Sequence, residues 1–146
     1  MSAIRNLSCN WLAWILAIPL LGCGDSGSVE KSVDTGSRNA VNNFFNGLIE
    51  KKWFQSYDQL SPEGKKKNSL EQFTRKATSW RKNLGFEPQS VFIQSCEERP
   101  NEAIAHVSII AASGSQRTRF KEAISLTRQD QNWYIVLPNN FGQRTH

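Results

Sequence analysis

Few side chains in this 146-residue chain are of a kind that does chemistry, and their spacing decides what each can do. Cysteines stand at positions 9, 23 and 96, and histidines at 106 and 146. Cys23 closes Leu20-Leu21-Gly22-Cys23, which follows an apolar run over residues 11–19, with Arg5 and the terminal amine ahead of it. A positive start, an apolar middle and a small residue before a cut make an export signal. A thiol just behind the cut is open to acylation. Cys9 then leaves with the signal, and an acylated Cys23 would leave Cys96 with no partner for an internal disulfide. Cys96 ends Val91-Phe92-Ile93-Gln94-Ser95-Cys96, where a buried strand thiol is expected. His106 is the single internal histidine, too few for a metal set, and reads as a surface or subunit-contact residue. The sequence holds no Ser-His-Asp set, Gly-rich phosphate loop or Cys-x-x-Cys pair, and nothing in it calls for a cofactor.

Leu at −3, Gly at −1 and Cys at +1 resemble the lipobox of bacterial lipoproteins, which implies a diacylglyceryl group on Cys23 and a cut before it. The alternatives are a spanning anchor or a signal cut without lipidation. A spanning helix needs about 20 apolar residues, roughly twice what Asn6, Ser8, Asn10 and Pro19 leave. Acylated Cys23 in the lipid bilayer, with the domain on the periplasmic or extracytoplasmic side, is the expected arrangement. Residues 1–22 are then the signal peptide and 124 residues remain (146 less 22), enough for one small domain. Residues 23–36 are polar and too poor in apolar side chains to pack. They form a tether that spans about 20 Å as a flexible coil.

The rest of the chain divides by period. Val41, Phe44, Phe45, Leu48 and Ile49 recur as on one face of a helix that Ser37 can cap. Trp53, Phe54, Tyr57 and Leu60 continue the pattern, in the same helix or in a second one broken near Lys52, and Ser61-Pro62-Glu63-Gly64 ends it as a turn. Ser69 and Gln72 have the spacing of a capping box, and Leu70, Phe73, Ala77, Trp80 and Leu84 run from there to a stop at Gly85. Four strands follow, over 89–97, 103–112, 117–128 and 133–137, joined by links short enough to make them antiparallel. A two-residue turn at Gly114-Ser115 pairs residues whose numbers sum to 229. Ala105, Val107, Ile109 and Ala111 then share a face with Thr118, Phe120, Glu122 and Ile124, and a slip of one residue would mix the faces. Ile104, His106, Ser108 and Ile110 lie on the other face. Helices followed by such a sheet make an α+β domain over 37–138, with the N-terminal helices packed on a curved four-stranded antiparallel sheet. Residues 139–146 read as a polar tail.

Charge is unevenly spread. The formal net charge is +5, and residues 37–86 carry ten Lys or Arg against four acids. Lys51, Lys52, Lys65, Lys66, Lys67, Arg75, Lys76, Arg81 and Lys82 form either a solvated face or a contact for anionic lipid or an envelope polymer, where each cation contributes about 1 kcal/mol near a charged membrane. Nucleic acid is not an expected partner. Export removes the chain from it, and no aromatic strand platform accompanies the basic residues.

Lys52-Trp53-Phe54-Gln55-Ser56-Tyr57-Asp58-Gln59-Leu60-Ser61-Pro62, the capped helix after it, and the closing Ser125-Leu126-Thr127-Arg128-Gln129-Asp130-Gln131-Asn132-Trp133-Tyr134-Ile135-Val136 together resemble the nuclear-transport-factor-2-like superfamily, and within it small bacterial lipoproteins. The resemblance covers roughly residues 37–138 and implies a cone-shaped α+β fold lined by Phe45, Tyr57, Trp80, Phe120 and Trp133. Enzymes of that superfamily, ketosteroid isomerases and scytalone dehydratase among them, work with an acid or a histidine in the cone. Here the matching candidate is Glu122, whose pKa burial would raise toward a useful base. Otherwise Glu122 sits at a strand bend or pairs with an Arg. A lone acid falls short of a catalytic constellation. The leading expectation is therefore a membrane-anchored envelope lipoprotein with a non-catalytic ligand- or partner-binding domain. An isomerase or dehydratase using Glu122 is one alternative. Self-association as a homodimer through Ile104 and Ile110 on the outer sheet face is the other.

Overall fold

The computed structural model describes residues 34–143. The expected signal peptide, Cys23 and the expected tether up to residue 33 lie outside the described residues, as does the end of the chain from 144. Within them the order is α1 (Ser37–Glu50), α2 (Trp53–Asp58), α3 (Pro62–Lys67), α4 (Leu70–Leu84), β1 (Glu87–Glu98), β2 (Glu102–Ser113), β3 (Gln116–Gln129) and β4 (Asn132–Val136). The class is α+β: helices cover one face of a curved four-stranded antiparallel sheet of order β1-β2-β3-β4.

The apolar stripe of α1 is the middle of the core, with Val41, Phe44, Phe45 and Leu48 fully buried. Its start differs from the sequence expectation. Gly36 (φ 109°) holds the cap position and Ser37 is the first helical residue, with its hydroxyl turned inward. Lys51, at φ 61°, ends the helix, and Lys52 N donates back to Gly47 O at 2.8 Å, so α1 and α2 are two helices. They pack closely because position 47 has no side chain. A Cβ there would overlap Ser56 Oγ, which donates to Phe44 O at 2.8 Å. The expected turn at 61–64 opens the short helix α3 instead, because Ser61 Oγ accepts from Gly64 N at 3.1 Å and Pro62 suits the first turn.

Helix α4 has the expected capping box between Ser69 and Gln72, and Gly85 ends it at φ 67°. One residue on its basic side faces inward. Arg81 is 8% exposed and donates to Leu48 O at 2.7 Å and Ile49 O at 2.8 Å while pairing with Glu87. It thereby satisfies carbonyls that the C-terminal turn of α1 leaves open.

Every β2–β3 pair, from Ser113↔Gln116 to Glu102↔Thr127, sums to 229, the register read from the sequence. Irregularities in β1 between Pro88 and Ser90 and between Ile93 and Ser95 accompany the bend of the sheet. On the inner face Ala103, Ala105 and Ala111 are small and buried, beside Val107 and Ile109. They leave room for the helix aromatics.

Residues 139–143 are not a free polar tail. Phe141 is 8% exposed and stacks on Phe73 (6.1 Å between centroids, 5° between planes) and on Trp80 (6.3 Å, 21°). Gly142, at φ 80°, allows this approach, since a Cβ would overlap the Lys76 carbonyl. Asn83 Nδ2 holds the segment by donating to Gly142 O at 3.0 Å.

Candidate functional site

Strand alternation directs Phe120, Glu122 and Ile124 to the inner face, and the pair Val107↔Glu122 fixes the carboxylate opposite a buried valine. Above it, α4 carries Trp80, whose Nε1 donates to Glu122 Oε1 at 3.0 Å. A cavity of about 330 Å³ opens here, lined by Trp80, Asn83, Leu84, Phe120, Lys121, Glu122 and Gln143. Burial raises the Glu122 pKa above the ordinary glutamate value, and the indole hydrogen bond offsets this only in part. No ion pair to Glu122 forms among the described residues, which sets aside pairing with an Arg.

The five aromatics expected to line one cone do not share a cavity. Trp80 and Phe120 border the Glu122 mouth. Phe45 lies beneath it, fully buried, edge-on to Phe44 and 6.3 Å from Trp80. Tyr57 packs on Phe73 and donates its hydroxyl to Asn68 O at 3.0 Å. Trp133 belongs to another region, with Nε1 donating to Thr35 Oγ1 at 2.7 Å. The interior between these points is filled by Phe44, Phe45, Phe73, Trp80 and Phe141. Asn83 and Gln143, not singled out from the sequence, complete the mouth together with Leu84, which the sequence placed on the apolar stripe of α4. An isolated Phe followed by Gly in a polar terminal stretch was the available sign that Gln143 would be brought there.

A second carboxylate, Glu98 at the end of β1, organises the opposite arrangement. Thr35 donates to it from N (3.3 Å) and Oγ1 (2.8 Å), and Ser37 donates from Oγ. Because the single Ser37 proton is given to Glu98, the 2.9 Å contact with Cys96 is a thiol donating to Ser37 Oγ. Burial alone would raise the Glu98 pKa, but these hydrogen bonds outweigh it and hold the group below the ordinary value. Burial pushes the Cys96 thiol up and the Glu98 carboxylate adds to this, so this buried cysteine is a poor nucleophile.

His106 is exposed on the outer face. Among the described residues there is no group of three or more metal-ligating side chains, and no helix is long and apolar enough to cross a membrane.

The nine basic residues are distributed rather than arrayed. Arg81 is a correction: its guanidinium is buried as a cap on α1 and is not offered to an anionic surface. Lys51 pairs with Glu87 at 3.7 Å, Lys52 with Glu50, Lys65 with Asp58 at 3.1 Å and Arg75 with Glu71 at 3.7 Å. Lys76 donates to Asn68 Oδ1 at 2.7 Å. Lys66, Lys67 and Lys82 make no ion pair among the described residues.

No family model matches the chain, and no curated protein matches it. Among solved structures, a SEC-C motif containing protein from Rhodopseudomonas palustris is similar over 62% of this chain and 67% of its own, at 10% identity and a TM-score of 0.49. A candidate NTF2-like transpeptidase from Campylobacter jejuni is similar over 69% of this chain and 97% of its own, at 16% identity and a TM-score of 0.47. Likenesses this slight carry no functional argument. The fold stands on the elements and register described above.

Proposed function

We propose that the chain is a lipid-anchored envelope protein whose α+β domain binds a small ligand at the Glu122 mouth without turning it over. The observation that carries this reading is the aromatic filling of the interior, which leaves a cavity whose polar lining is one carboxylate, the amides of Asn83 and Gln143, and Lys121, rooted on the outer face of the sheet and making no ion pair with Glu122. General acid–base chemistry of the isomerase or dehydratase type needs a partner group in reach of the same reacting atom. Anchoring rests on Leu20-Leu21-Gly22-Cys23. Two or more acyl chains hold a protein stably to a bilayer, at about 0.8 kcal/mol per buried CH₂, so Lys66, Lys67 and Lys82 would set orientation against anionic lipid or polymer rather than residence. Cys23→Ala is expected to abolish labelling by radioactive palmitate and partitioning into detergent. Unchanged partitioning of that variant would remove the anchor.

A second reading, pairing of two copies through the outer sheet face, is favoured by exposed apolar side chains on that face: Ile104 (43% exposed) and Val136 (40%) on either side of Ser125, and Phe92 (56%) farther along, opposite Ser108. The same face is basic at Arg117, Arg119 and Lys121 and acidic at Glu97 and Glu102, so a two-fold axis would set unlike ends together. Sedimentation of a signal-less, non-acylated chain would show a dimer. A monomer at high micromolar concentration would end this reading.

A further inference from the structure

The mouth presents electron-rich groups to an incoming molecule. Glu122 Oε1 is taken by the Trp80 indole, and no hydrogen bond from the described residues reaches Oε2. Asn83 gives one of its two Nδ2 hydrogens to Gly142 O at 3.0 Å, which fixes the amide, and its Oδ1 accepts no hydrogen bond from the described residues. Trp80 and Phe120 add aromatic surface, whose faces attract cations. Lys121 borders the opening, but its place opposite Ser108 roots the side chain on the outer face of the sheet, and it makes no ion pair with Glu122. A carboxylate withdrawn from water without a countercharge is costly, and a cation arriving from solution would relieve that cost.

We infer that the Glu122 mouth binds a small organic ammonium ion, with its N–H groups on Glu122 Oε2 and Asn83 Oδ1 and its apolar stem against Trp80, Leu84 and Phe120. The cavity, at about 330 Å³, is near the lower end of the range for small-molecule sites, roughly 300–1,000 Å³, which suits a single amine and not a lipid or a polymer. A neutral alcohol of the same shape could donate to one acceptor and would leave the other acceptor and the charge unmatched. The inference rests on the mouth being a binding site and specifies what that site takes.

The test is calorimetric titration of the full chain in non-ionic detergent with benzylammonium and with its neutral counterpart, benzyl alcohol, at a pH where Glu122 is ionised. Benzylammonium is expected to bind at least tenfold more tightly than the alcohol. Glu122→Gln, which retains an acceptor for Trp80, should lose at least tenfold for the amine and little for the alcohol. Asn83→Ala, a second variant outside the core, should weaken the amine selectively by a smaller factor. Equal binding of the two probes, or an unchanged amine affinity in Glu122→Gln, would overturn the ammonium assignment while keeping the mouth as an apolar site. Failure of both probes to bind would remove the mouth reading together with this inference.

Discussion

Glu98 accepts hydrogen bonds from the backbone and side chain of Thr35 and from the Ser37 hydroxyl, whereas Glu122, on the same sheet, accepts one, from an indole. The first carboxylate joins the start of α1 to the end of β1, and through Thr35 it also reaches Trp133 of β4. The second lies where α4, β3 and the C-terminal segment meet around a cavity. Burial opposes ionisation at both. Three donors overcome it at Glu98 and one does not at Glu122, so their pKa values move in opposite directions. A carboxylate that is fully partnered holds elements together, and one left with a free oxygen in an apolar recess can receive a ligand.

Changes at each region separate the two roles, and the largest effect belongs to the C-terminal segment packed behind Trp80. Phe141→Ala removes a ring stacked on Phe73 and Trp80 and is expected to cost about 3 kcal/mol, read as a lower urea midpoint with an unchanged slope. A midpoint within experimental error of the parent would mean the segment does not dock. Glu98→Gln is a smaller loss, about 1 kcal/mol once solvent screening at a partly exposed carboxylate is allowed for. Its pH dependence carries the sign: a depressed native pKa stabilises above the unfolded value, and that stability disappears as pH falls through the native pKa. The variant should therefore lose part of the acid limb of the parent stability curve. Glu122→Gln is the smallest change and runs the other way. A raised native pKa lets the folded form keep its proton longer, so its contribution is favourable at acid pH and is lost as pH rises from the unfolded pKa through the native one. The amide should raise the melting temperature by a few degrees at neutral pH and leave it unaltered in acid. A lower melting temperature at neutral pH would mean that Glu122 is stabilised as an anion.

Much of this layout was legible before the structure. The inward position of Glu122 followed from alternation and from the Gly114-Ser115 turn, because a buried face tolerates no slip of register. The capped helix was readable for a similar reason: Ser69, Gln72 and Gly85 state its ends locally. What escaped depended on distant parts of the chain. Ser37 has the composition of a cap, but its hydroxyl is drawn to Glu98, 61 residues away, and Gly36 takes the cap. Arg81 belongs to a basic run, but its charge is spent on the carbonyls of α1. The five aromatics were grouped by type, and only packing shows that Phe45 is filler while Trp133 serves the Glu98 region. Phe141 filled the interior from a stretch whose other residues are polar or Gly.

The contrast between the two carboxylates can be measured in one sample by following the side-chain carboxyl carbons of Glu98 and Glu122 through a pH titration by NMR. Glu122 is expected to titrate above the ordinary glutamate value and Glu98 below it. Coincident titrations near that value, or the reverse order, would contradict the assignment of Glu98 to structure and Glu122 to the binding mouth.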